Sequence, residues 1–194
     1  MKIDPAVVER LRSVIKSAKR LNEDALLLTE HGRFSSGYAL ALLSIEEIGK
    51  ILIELWKEDT YWRTPSPPEV RSGRLNFHVR KQVAFTTLLF AGEVMRSVSE
   101  VADEELDADR FRAIYSEAFD RAEGSGLLID AMFGVMNRSK ESAFYADGSD
   151  SVQRPDVPAN EVRVLLDRHS EAIELLADWR VMSLRGPPIT IPSA

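Results

Sequence analysis

GYALALLSIEEIGKILIELW, Gly37 to Trp56, is the stretch whose reading decides the fold. Its apolar residues recur at the three-and-four spacing of a helix, along two adjacent stripes. One stripe is Tyr38, Ala41, Ile45, Ile48, Leu52 and Leu55; the other is Ala39, Leu42, Glu46, Gly49, Ile53 and Trp56. A helix apolar on nearly every side belongs at the centre of a bundle. Glu46 breaks the pattern, because it stands midway along an apolar stripe. A carboxylate facing a core must be paired or protonated, since an unpaired buried charge is costly. Gly49, one turn on, allows a neighbouring helix to come close. Glu47, Lys50 and Glu54 form a polar edge beside the stripe. Some other part of the chain is therefore expected to answer Glu46.

Composition narrows the class. The chain has 194 residues, 44% of them hydrophobic, which suits one domain with a core of its own. The net charge of −6 supplies no global basic field for nucleic acid, although a local basic groove remains compatible with it. The absence of cysteine removes disulfides and thiolate metal sites and fits a reducing, cytoplasmic setting. With only three histidines and no paired Glu-x-x-His motifs, neither a zinc site nor a carboxylate-bridged metal site is expected, and no cofactor is implied. Residues 1–20 are amphipathic and charged, unlike a signal peptide. The charges at Glu46, Glu47, Lys50 and Glu54 weigh against membrane insertion of the central helix.

Outward from that helix, the periodicity predicts a bundle of about five to six helices. Asp4 and Pro5 form a helix start, and Val7, Leu11, Val14, Ala18, Leu21, Ala25 and Leu28 carry it to about Glu30. Gly32 ends it, and so tight a turn makes the first two helices antiparallel. The proline-rich run from Thr60 to Ser72 is a long connection. A third helix is expected from about Gly73 to Val101, with Arg71, Arg74, His78, Lys81, Phe85, Leu88, Gly92 and Met95 at helical spacing. That face is cationic at its start and apolar afterwards, so Arg74, His78 and Lys81 are the natural answer to Glu46 and Glu47. Further helices are expected after Asp109, from Leu127 to Met136 as one buried helix, and from Ala159 to about Leu184, leaving residues 186–194 as an extended tail behind a single domain of residues 1–185. The class is all-α, up-and-down in its core. Arg10, Arg12, Lys16, Lys19 and Arg20 read as a basic face of the first helix, solvated or in contact with RNA.

Three segments together resemble the AbiV-type abortive infection proteins of the HEPN superfamily. They are HGRFSSGYALALLSIEEIGK, then FHVRK, then KESAFYADG with Pro155 beyond. The resemblance spans most of the chain in the expected order. It assigns the family's Glu-Glu-x-Gly-Lys signature to Glu46, Glu47, Gly49 and Lys50, its His-x-x-Lys pair to His78 and Lys81, and its later segment to Lys140, Tyr145 and Asp147. It implies a HEPN-like helical bundle and antiphage defence through RNA or the translation machinery. Many HEPN relatives are metal-independent ribonucleases with an Arg, four to six residues, then a His at a dimer interface. There His serves as acid or base on the RNA and Arg holds the phosphate. Arg71 to His78 and Arg163 to His169 fit that spacing, with Ser72 and Val164 after the arginines where the family usually has Asn, Asp or His. The resulting candidates are Arg71, Arg74, His78 and Lys81 for catalysis, with Glu46, Glu47, Lys50, Lys140, Tyr145 and Asp147 lining the pocket. His169 falls among Leu165, Leu166 and Ile173, as a core or interface histidine does. The expected assembly is a homodimer that brings two copies of His78 together. Two readings stay open: an RNA-directed toxin, of which metal-independent RNA cleavage is one form, or a non-catalytic protein that blocks translation or binds a phage protein.

Overall fold

The structure is a computed structural model and describes residues 5–57, 76–101, 108–123, 126–132, 134–144 and 157–177. Among these residues there is no strand, and seven helical segments follow one another: α1 (Pro5–Glu30), α2 (Phe34–Lys57), α3 (Phe77–Glu100), α4 (Ala108–Glu123), α5 (Leu127–Met132), α6 (Val135–Phe144) and α7 (Ala159–Ala177). The expected all-α bundle is the observed one.

α1 and α2 form a tight antiparallel hairpin. Gly32, at φ +70°, reverses the chain, and the Arg33 amide donates to the Leu28 carbonyl at 2.8 Å. His31 closes the same helix end, its Nδ1 lying 2.8 Å from the Leu27 carbonyl. Ser44 then donates to the Ala18 carbonyl at 2.9 Å, well down the hairpin. α2 is the central helix and packs against α1, α3, α6 and α7. Its two stripes explain this: Ala41, Leu42, Ile45, Ile48, Leu52 and Ile53 are all buried in the main core. Burying each of these leucine and isoleucine side chains contributes on the order of 1.5–3 kcal/mol.

α3 starts later than the periodicity suggests. Asn76 is its N-cap, and its side chain accepts from the His78 amide at 2.9 Å. That bond satisfies one of the orphan donors of the first turn. It also fixes His78 at the second helical position. The stretch expected as one buried helix from Leu127 to Met136 is instead two, α5 and α6. Gly134 stands between them at φ +68°, a conformation that side-chain-bearing residues rarely adopt and that ends a helix. α4 packs on α3 and α5, and the Phe90 ring meets the Tyr115 and Phe119 rings edge-on at 4.9 Å and 6.0 Å. The long proline-rich connection and the tail at 186–194 lie outside the described residues, as does the end of the last helix beyond Ala177. No described helix is long and apolar enough to cross a membrane.

Candidate functional site

Glu46 sits at the junction of α2, α3 and α6, only 1% exposed. Its place on the apolar stripe of α2 forces the carboxylate inward, and Gly49 brings the answer to it. A Cβ on Gly49 would lie 1.8 Å from the Lys81 carbonyl oxygen, so the backbone of α3 occupies the space a side chain would need. This close approach puts the first turns of α3 directly over Glu46. His78 Nδ1 lies 2.6 Å from Glu46 Oε2, Lys81 Nζ donates to the same oxygen at 3.3 Å, and Gln82 Nε2 donates to Oε1 at 2.9 Å. α6 supplies the remaining partner: Lys140 Nζ donates to Oε1 at 2.5 Å. α6 is tied to α2 next to this point, because Tyr38 hydrogen-bonds to Ser139; burial pushes the Tyr38 hydroxyl up to about 12.

The charges in this cluster do not balance. Among the described residues, two buried ammonium groups, Lys81 and Lys140, share the single carboxylate of Glu46. Burial alone would raise the Glu46 carboxyl. The hydrogen bonds from Lys140 and His78, and the charges of Lys140 and Lys81, outweigh it and hold the group below its ordinary value. Glu46 is therefore ionised, and among the described residues one ammonium group of the cluster has no second carboxylate to pair with.

The tautomer of His78 follows from the same contacts. A nitrogen 2.6 Å from a carboxylate oxygen must carry the hydrogen between them, so Nδ1–H donates to Glu46. The Lys140 ammonium lies 3.0 Å from that nitrogen but can only donate, so the shared carboxylate holds it there. In neutral His78 the lone pair is then on Nε2. The side chain is 43% exposed although its partner is buried. A carboxylate that orients a histidine whose far nitrogen is basic is an acid–base pair. Phe77, 54% exposed, borders it, with its ring 6.4 Å from the His78 ring and 4.6 Å below Lys81 Nζ.

Of the residues singled out by sequence, Glu46, His78, Lys81 and Lys140 meet. Glu47 and Lys50 do not join them: they pair with each other at 3.7 Å on the partly exposed flank of α2. Glu47 is one residue from Glu46 and so about 100° around the helix. Arg71, Arg74, Tyr145 and Asp147 lie outside the described residues. Gln82 and Phe77 were not picked out, although Gln82 follows His78 by one helical turn and so shares its face. A neutral amide or an aromatic ring at a helix start carries no charge signal to draw attention to it. The second Arg-to-His match separates. Arg163 is exposed, while His169 is buried, its Nδ1 2.5 Å from Ser44 Oγ. Burial, helped by the Lys19 charge, lowers His169 from its ordinary 6.5 to about 4, so it is a neutral core histidine. No group of three or more metal-ligating His, Asp or Glu side chains occurs among the described residues.

Within an all-helical bundle, the segments that carry the resemblance thus bring a buried glutamate together with a histidine and two lysines from neighbouring helices. The AbiV family model of that class matches residues 6–162, most of the chain, and the protein belongs to this family. Membership carries a role in abortive-infection defence. Among curated proteins and solved structures, none matches the chain.

Proposed function

We propose that the protein acts in abortive infection on RNA, as a metal-independent ribonuclease whose acid–base pair is Glu46 and His78. The observation that carries this reading is the half-exposed His78 ring held at Nδ1, 2.6 Å from a buried carboxylate. In this chemistry Nε2 takes the proton of a ribose 2′-hydroxyl, and the 2′-oxygen attacks the adjacent phosphorus. The 5′-oxygen leaves with a proton, and a 2′,3′-cyclic phosphate remains. The unbalanced ammonium charge of Lys81 and Lys140 favours the phosphorane anion, a role that cations play at phosphoryl centres. Phe77 at the rim offers a face on which a base can stack. A symmetric homodimer would supply a second His78 as the acid for the leaving oxygen. The protein would then work in the cytoplasm.

The test is incubation of purified protein with total and transfer RNA, with and without chelator, followed by end-group analysis. The reading requires chelator-resistant cuts ending in 2′,3′-cyclic phosphate, lost in His78→Gln. Light scattering decides the assembly: a species of twice the 21.8 kDa chain mass is expected. A second reading, a non-catalytic protein that binds a translation component or a phage protein, draws on α4. There Phe111, Tyr115 and Phe119, one turn apart, are all substantially exposed, as a docking face would be. Intact RNA at high protein concentration, with translation still arrested, would favour that reading over cleavage.

A further inference from the structure

α1 bears a second concentration of charge that the Glu46 site does not use. Arg12, Lys16, Lys19 and Arg20 line a cleft of about 670 Å³ along the outer side of this helix, with Glu23 the one acidic side chain among its described lining. Their spacing of four, three and one residues puts all four on one face of α1 across about two turns. All four are exposed. In a chain whose net charge is −6, four cations gather on one face of α1, where Glu9 pairs with Arg12 at 3.6 Å and Glu23 is the acidic side chain of the lining. Ser13 and Ser17 add hydroxyl donors to the same lining. The Lys19 charge is felt as far in as His169, which it helps to keep neutral beneath the cleft.

We propose that this cleft is a track for the sugar–phosphate backbone of single-stranded RNA. Arginine offers a planar fork to phosphate oxygens, and lysine a mobile point charge. A stripe of such residues along one helix face follows a flexible backbone without reading its bases. An anionic lipid surface fits less well, because it calls for apolar side chains between the cations, and Ile15 is the one such residue among the described lining. The choice of RNA over other polyanions rests on the RNA-directed reading above; the cleft and its charge do not. The track is separate from the Glu46 site. Ser44 faces α1 through the Ala18 carbonyl, while Glu46, two residues on and so about 200° around α2, faces α3 and α6. The central helix thus stands between the two, and the track anchors RNA without taking part in the chemistry.

The experiment is fluorescence anisotropy of the full chain with a labelled single-stranded oligoribonucleotide of mixed sequence, titrated over a range of salt. Lys16→Gln/Arg20→Gln removes two phosphate contacts, so Kd should weaken at least tenfold at about 50 mM salt, and the slope of log K against log salt should become shallower by about 1.4. Arg163→Gln, which removes an exposed cation on α7 outside both sites, should leave Kd within twofold. Arg12→Gln/Lys19→Gln serves as an independent pair, and both sites are exposed, so circular dichroism should be unchanged. Unaltered Kd and slope in both pairs would overturn the track, as would wild-type protein that ignores RNA at low salt or binds only phosphatidylserine vesicles. The fate of the catalytic reading is scored separately. If RNA binds through the cleft and no cyclic-phosphate ends form, the track stands and the ribonuclease falls. If cutting persists, the Gln pairs should raise KM and leave kcat alone; a fall in kcat at unchanged KM would place these residues in the chemistry and overturn the anchoring role.

Discussion

Glu46 on α2 and Glu93 on α3 are both carboxylates turned into a bundle, with side chains 1% and 9% exposed, yet they are answered in opposite ways. Glu93 is met by arginines that reach in from solvent: Arg96 at 2.8 Å and Arg121 at 3.7 Å, which are 55% and 46% exposed. Arg96 extends the chain to Glu171, which Arg168 also holds, and Arg121 bonds to Ser97. Its cations keep much of their hydration, and the network fastens α3 to α4 and α7. Glu46 is met by two lysines that are themselves buried and by a histidine that is not. The first network holds helices together with charges that water can screen. The second keeps charge in a dry place and lets one titratable ring out to solvent, a poor economy for stability alone and a good one for chemistry.

The largest expected effect tests that contrast directly. Glu46→Gln removes the one carboxylate that pairs with buried Lys81 and Lys140 among the described residues, and should cost about 3–5 kcal/mol. For a domain of this size that is a fall in Tm of roughly 10 °C or more, read by calorimetry. A melting curve like the wild type's would show that the buried cluster is no more demanding than the Glu93 one.

Acid should resolve a second difference. His169 titrates near 4 when folded and near 6.5 when not, so between those values the unfolded chain binds a proton that the native one refuses. Its contribution, about 3 kcal/mol, is complete above 6.5 and lost as pH falls to about 4. Glu46, held below its ordinary value, adds a further loss at lower pH, because its stabilisation is present above the ordinary carboxyl range and fades as pH drops through the lowered value. Urea titrations against pH should show both phases, and His169→Gln should abolish the upper one only.

Gly49→Ala sharpens the comparison from the backbone side. The added methyl meets the Lys81 carbonyl, and α3 must move. Overpacking of this sort costs about 1–3 kcal/mol. It should also pull His78 off Glu46, visible as a shifted His78 resonance in NMR, while the Glu93 network stays in place. The smallest effect belongs to Glu93→Gln, about 1 kcal/mol or less. What remains of that effect should shrink as salt is added, whereas the cost of Glu46→Gln should not.

How much of this was legible beforehand depended on whether each signal was local. Glu46 declared itself by interrupting an apolar stripe, and Gly49 by lying one turn further along it. His78 and Lys81 declared themselves by sharing the core-facing stripe of α3. Lys140 is 94 residues from Glu46 and joined the site through the family resemblance alone, since no periodicity links α2 to a short helix so far away. Glu47 and Lys50 enter the expected pocket through the polar edge of α2 and the family's Glu-Glu-x-Gly-Lys signature, and the turn of the helix parts them from Glu46. The break at Gly134 was missed because a lone glycine in an apolar run has the composition of a buried helix, and only its positive φ reveals the turn.

The separation of Lys140 from Glu46 has a consequence during synthesis. α2 and the start of α3 leave the ribosome first, carrying Glu46, His78 and Lys81. At common elongation rates the stretch from Lys81 to Lys140 takes on the order of several seconds to make. For that interval the nascent chain holds Glu46, His78 and Lys81 without the second ammonium group. The cluster is thus complete only once α6 has been made.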